Sequence, residues 1–185
     1  MPQLQHLRRA ELEAGLDTIR LSPKQEGLLA LIVRRPAIGA REVLEEGKLD
    51  LRGGLVGDTW ISRGSSRTTD GSSHPDMQLN LMNARAIALL AQAKERWPLA
   101  GDQLFIDLDL SLDNLPPRTQ LAMGTAVIEV TAQPHTGCDK FMERFGLEAL
   151  KFVNSPLGKQ LRLRGLNAKV VQSGVIRVGT AVKKL

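Results

Sequence analysis

"TAVIEVTA" (residues 125–132) decides the fold: its apolar residues recur at every second position, the period of a strand with one buried face. The same period runs through "MQLNLM" (77–82) and "QLFIDLDL" (103–110). Working outward, "GLLALIVRRP" (27–36) is a compact apolar run stopped by a proline, which suits a buried strand. "LRGGLVGD" (51–58) predicts a short strand with a tight turn, and "AKVVQSGVIRVGTAVKKL" (168–185) predicts valine-rich strands separated by Ser-Gly and Gly-Thr turns. Helices are fewer. "NARAIALLAQAKERW" (83–97) is the clearest, with Asn83 as N-cap and Pro98 just past its end. A short amphipathic helix is expected within residues 8–20, and one or two more between Asp139 and about Asn154, interrupted at Gly146. Many short strands with a few helices and no regular alternation predict a mainly β protein with peripheral α-helices, a β-barrel rather than a doubly wound sheet. Residues 1–26 are expected to form an amino-terminal helical extension and residues 27–185 the barrel domain.

No apolar run approaches the roughly 20 residues that a bilayer requires, so no membrane span is expected. The amino-terminal stretch carries charges throughout and lacks the apolar core of a secretory signal. A single cysteine forms no internal disulfide, which makes a reducing cytoplasm the expected setting. The net charge of +5, from 25 Lys and Arg against 20 Asp and Glu, favours an anionic partner. Nucleic acid is disfavoured, because the chain has no Tyr and no alternation of aromatic and basic residues on which bases could stack. A phosphate-bearing cofactor fits better. "ISRGSSRTTDGSSHPD" (61–76) is the longest stretch without an expected element, and it holds almost no apolar residue to anchor it, so the loop from Ser62 to Pro75 is expected to be mobile without ligand.

The candidate reactive group lies in "PHTGCDKFMERFG" (134–146), which contains the only cysteine, Cys138, three residues after His135. A free cysteine commonly packs as a small hydrophobe. Here Pro134 and Gly137 mark a turn, and Asp139 is the expected N-cap of the next helix, which places the thiol just before a helix amino terminus. With His135, Lys140 and Arg144 as positive neighbours, that setting favours a partly exposed, low-pKa thiol fit for nucleophilic or sulfur-transfer chemistry. Structural zinc needs four ligands at defined spacing, a pattern the scattered histidines do not form. Two alternatives stand beside this: a cysteine hydrolase using Cys138 and His135, and a non-catalytic barrel that binds anions or nucleic acid and leaves Cys138 inert.

The order of "GLVGDTW", "MQLNLMNARAIALLA", "LDNLPPRTQLAMGTAVIEV", "PHTGC" and "AKVVQSGVIRVGTAV" resembles the MOSC domain family, named after the carboxy-terminal domain of molybdenum cofactor sulfurases. The resemblance spans roughly Gly27 to Lys183. It implies a MOSC-type β-barrel and a site for the pterin-based molybdenum cofactor (molybdopterin), with Cys138 either carrying a persulfide sulfur or ligating molybdenum. It further implies Arg63, Arg67 and Arg164 as candidates for the cofactor phosphate, with Asp58, Asn114 and Lys140 as additional cofactor-binding residues. The implied activity is that of a molybdenum-cofactor-dependent oxidoreductase or a sulfur transferase, with a sulfur donor or electron-transfer protein as partner. Two positions depart from the pattern: Arg118 stands where glycine often follows "LPP", and Thr180 stands where the closing turn usually has Asp. The sulfurases also carry a pyridoxal-phosphate domain. Nothing of that length is present here, so pyridoxal phosphate is not expected in this chain.

Overall fold

A computed structural model describes residues 5–185. The strands are β1 (Glu26–Arg34), β2 (Glu42–Leu44), β3 (Glu46–Asp50), β4 (Gly54–Leu55), β5 (Leu79–Asn83), β6 (Leu104–Asp107), β7 (Gln120–Met123), β8 (Ala126–Val130), β9 (Leu166–Gln172), β10 (Gly174–Arg177) and β11 (Ala181–Lys184). The helices are α1 (Arg9–Ala14), α2 (Leu16–Arg20), α3 (Trp60–Arg63), α4 (Ala84–Ala91), α5 (Asp139–Phe145), α6 (Leu147–Asn154) and α7 (Pro156–Gln160). Among the described residues seven strands close a barrel in the order β1–β11–β7–β8–β9–β5–β6, with β6 returning to β1. β2 adds to the end of β1, and β10, β3 and β4 form a small second sheet. Every barrel pairing is antiparallel except β5 with β6. A parallel pair needs a crossover, and α4 with the 3₁₀ run Lys94–Ala100 supplies it.

The period-two runs sort the apolar side chains into two cores. Leu79, Leu81, Leu104, Ile106, Ala126, Ile128 and Val130 fill the barrel interior. The alternate positions Met82 and Phe105 face outward and meet Leu12, Ile87, Phe141 and Phe145 from the helices. β1 contributes to both cores through a bulge between Leu29 and Leu31, which turns Leu29 and Ile32 inward although they are three residues apart. Burying each such Leu or Ile contributes about 1.5–3 kcal/mol. The amino-terminal helices, broken at Gly15, pack into the outer core through Leu12, Leu16 and Ile19.

Several elements differ from expectation for local reasons. Asn83 caps α4 by accepting the backbone N–H groups of Arg85 and Ala86, but the helix stops at Ala91 because Gln92 adopts the left-handed conformation. Residues 61–76 are not structureless: they open in α3, and Ser73 Oγ donates to the Ile61 carbonyl while Thr68 Oγ1 donates to that of Ser72. Short polar side chains anchor this loop where apolar ones are lacking. Arg118, which replaces the expected glycine, has φ +77°. Thr180 needs no Asp, since its N–H donates to the Arg177 carbonyl and closes the turn.

Candidate functional site, a cationic cleft

The site begins where β1 ends. Arg35 is 5% exposed, and its Nε and Nη2 donate to the two carboxylate oxygens of Asp58 at 2.9 and 2.8 Å. Its Nη1 donates to Asn80 Oδ1 and to the Gly101 carbonyl, each at 3.1 Å. Asn80 Nδ2 donates to Asn167 Oδ1 at 2.6 Å, and Asn167 Nδ2 donates to the carbonyls of Gln133 and Pro134. This buried chain of bonds ties three strands to the turn that carries His135 and Cys138. A second buried pair lies alongside. Arg164 Nη1 donates to Asp102 Oδ2 at 2.6 Å, and its guanidinium sits 4.9 Å over the ring of Phe141. Burial pushes both carboxyls upward. In Asp58, hydrogen bonds and charge from Arg35 win and hold its pKa below the usual carboxylate range; in Asp102, burial wins despite Arg164.

Above this floor opens a cleft of about 320 Å³, lined by Arg35, Arg41, Arg63, Lys140, Arg144 and Arg164 together with Asn80, His135 and Cys138. No carboxylate is among the described lining residues. Asp58 and Asp102 each neutralise one arginine from beneath, which leaves four cations without an acid. Desolvation, followed by the charges of Arg144 and Arg35, pulls the pKa of Arg41 down; desolvation, followed by Arg35, does the same to Arg63. An arginine stays protonated regardless, so the repulsion persists until an anion enters.

Cys138 is exposed on the wall of this cleft. It is itself the N-cap residue of α5, contrary to the expectation for Asp139, which is the first helical residue; the Cys138 carbonyl already accepts N–H groups from Phe141 and Met142. His135 lies on the same cleft but is largely buried, its Nδ1 3.4 Å from Asp102 Oδ1. Burial first, then the charges of Arg164, Arg35 and Arg67, hold its pKa well below the ordinary value. It is therefore a neutral imidazole, not the positive neighbour of the thiol that the sequence suggests. Arg63 and Lys140 line the cleft, and their side chains make no hydrogen bond or ion pair among the described residues. Arg164 and Asp58 belong to the floor. Arg67 is exposed on the loop and lies outside the lining. Asn114 is elsewhere: its Nδ2 donates to the Lys24 and Asp109 carbonyls and it lines a different cavity beside Asn83.

Sequence reasoning missed Arg35, Arg41, Asn80, Asp102 and Asn167 as site residues, whereas Arg144, expected as a neighbour of the thiol, does line the cleft with it. Asn80 and Asn167 occupy polar positions in alternating strands, where water is the expected neighbour, and the network takes its place. Among the described residues no group of three or more His, Cys, Asp or Glu side chains could hold a metal ion.

Fold and site together define a closed β-barrel with a cationic cleft and an exposed thiol on its wall. Solved structures share that barrel. YuaD from Bacillus subtilis superimposes with a TM-score of 0.65 at 13% identity, covering 86% of this chain and 95% of that one. YiiM from Escherichia coli (0.55, 17%, covering 85% and 69%) and YiiM from Geobacillus stearothermophilus (0.52, 15%, covering 86% and 73%) are also similar. No family model and no curated protein matches the sequence. At these identities the likeness is one of fold, and it agrees with the MOSC-like barrel that the resemblance implies. No helix among the described residues is long and apolar enough to cross a membrane.

Proposed function

We propose that the cleft binds the phosphate end of a pterin-based molybdenum cofactor and that Cys138 is the protein's thiolate ligand to the metal. One observation carries this reading: the exposed thiol shares a wall with four uncompensated cations and no carboxylate. A phosphate supplies the missing negative charge, and arginine's planar fork suits its oxygens. The residues present fit such a group. Arg164 Nε is a buried donor without a partner at the floor of the cleft. Among the described residues Cys138 belongs to no group of three or more His, Cys, Asp or Glu side chains, so a metal it holds must arrive with its remaining ligands attached, as a cofactor-borne metal does. When bound, the cofactor supplies redox chemistry at molybdenum. The chain's own residues hold the phosphate, keep Arg35 and Arg164 oriented through Asp58 and Asp102, and present the thiol at the cleft wall. Electrons would come from a partner protein.

The test is protein purified from a host that makes the cofactor, measured by elemental analysis and pterin fluorescence. Wild type is expected to carry both molybdenum and pterin. Cys138→Ser should keep pterin while lowering the number of sulfur atoms bound to molybdenum by one in X-ray absorption. Arg63→Glu with Lys140→Glu should lose both. Wild type free of pterin and metal would reject the reading, and an added sulfur atom on Cys138 without molybdenum would make the thiol a sulfur carrier instead.

A further inference from the structure

Three buried side-chain atoms lack a hydrogen-bond partner among the described residues, and all three belong to one cluster: Asp102 Oδ1, His135 Nδ1 and Arg164 Nε. Asp102 Oδ2 is engaged by Arg164, so Oδ1 is the free acceptor of that carboxylate, and His135 Nδ1 faces it at 3.4 Å. Two bare lone pairs would repel at that distance. One proton between them removes the repulsion; the Arg164 guanidinium on the same carboxylate favours its ionised form, which places that proton on Nδ1 as the single ring proton of a neutral imidazole. Nε2 is then an unprotonated acceptor. It makes no hydrogen bond within the described residues and is not among the sealed atoms, which leaves it open at the wall between the cationic cleft and a second, largely apolar cavity of about 380 Å³ lined by Leu112, Val153 and Leu166.

An acceptor is scarce here. The six cationic side chains of the cleft only donate. The amide of Asn80 is occupied on both sides, by Arg35 and by Asn167. We propose that His135 Nε2 reads a ring N–H or hydroxyl of the ligand whose phosphate the cations hold, and that Asp102 is the positioning residue that sets the tautomer. The ligand class is thus a phosphorylated heterocycle bearing a hydrogen-bond donor rather than a bare oxyanion. This deepens the cofactor reading and rests on it for the identity of the ring, whereas the tautomer belongs to the protein alone.

The experiment has two arms. Nitrogen-15 NMR of the free protein should show His135 protonated on Nδ1 and bare on Nε2; the opposite tautomer overturns the proposal whatever the cleft binds. The second arm is calorimetry with inorganic phosphate and with a pterin monophosphate. His135→Leu should leave the phosphate affinity unchanged and weaken the pterin monophosphate roughly threefold to tenfold, the worth of one hydrogen bond. His135→Gln, whose amide oxygen accepts, should restore most of it. Asp102→Asn, which turns a donor toward Nδ1 and moves the proton to Nε2, also changes the charge beside Arg164, so its readout is the ratio of the two affinities: the pterin monophosphate should lose its advantage over inorganic phosphate as it does in His135→Leu. Equal weakening of both probes by His135→Leu would make the residue merely structural and overturn the proposal. Wild type that binds the pterin compound no better than phosphate would overturn the recognition role and the cofactor reading, with the tautomer still decided by the first arm.

Discussion

His135 stands on the cleft wall as a neutral ring held among cations, and its environment makes the protein's stability depend on pH in a defined direction. Its pKa is lowered by burial and by Arg164, Arg35 and Arg67. On acidification the unfolded chain therefore takes up this proton first, at about pH 6.5, while the folded chain resists. Stability from this residue is complete above that pH and falls as pH drops below it, by at most about 1.4 kcal/mol per pH unit. Urea unfolding at pH 7.5 and 5.5 should show a smaller acid loss in His135→Leu than in wild type; equal losses would mean that the imidazole is solvated. Only part of this was legible in the sequence. The motif around Cys138 drew attention to His135, but its charge state depends on Arg35 and Arg164, which lie far from it in sequence. Asp58 could be found through "GLVGDTW", whereas its partner Arg35 is one of two adjacent arginines before a proline, a pattern that carries no signal of burial.

Between residues and barrel, turns decide where the site groups sit. Gly165 joins Arg164 to β9 with φ +106°, and a Cβ there would lie 2.1 Å from the Leu81 carbonyl oxygen and 3.3 Å from His135 Nδ1. The backbone conformation alone costs a non-glycine residue about 1–3 kcal/mol, and the overlap with a β5 carbonyl adds to it. Gly165→Ala should lower the urea midpoint and also weaken phosphate binding, because Arg164 and His135 shift together. Normal stability with normal phosphate affinity would show that the turn relaxes freely. Elements of this size were the most legible. The run at 77–82 holds all of β5 but Asn83, and the runs at 103–110 and 125–132 contain β6 and β8, because alternate residues of each enter the barrel; Gly146 does separate α5 from α6. The end of α4 was not legible, since the left-handed Gln92 carries no glycine or proline signal. Barrel closure through β1 and β11 joins residues 26–28 to 181–183, and no local pattern encodes that pairing.

Taken over the whole chain, the positive charge is concentrated rather than spread. Setting aside the six cations of the cleft and the two carboxylates beneath it, 19 Lys and Arg remain against 18 Asp and Glu, so the cleft holds nearly all of the net +5. That distribution favours a compact polyanion over an extended one, which would need a basic stripe. Pyrophosphate should therefore stabilise the fold by mass action. At about one hundred times its dissociation constant the gain is about 2.7 kcal/mol. For a chain of this size that raises the melting temperature by roughly 5–10 °C. Added salt should shrink the shift by screening the cleft. Arg63→Glu with Lys140→Glu should abolish it, while Asn114→Ala, which lines a separate cavity, should melt earlier yet keep the full pyrophosphate shift. A shift that survives the double reversal would move the anion site away from Cys138.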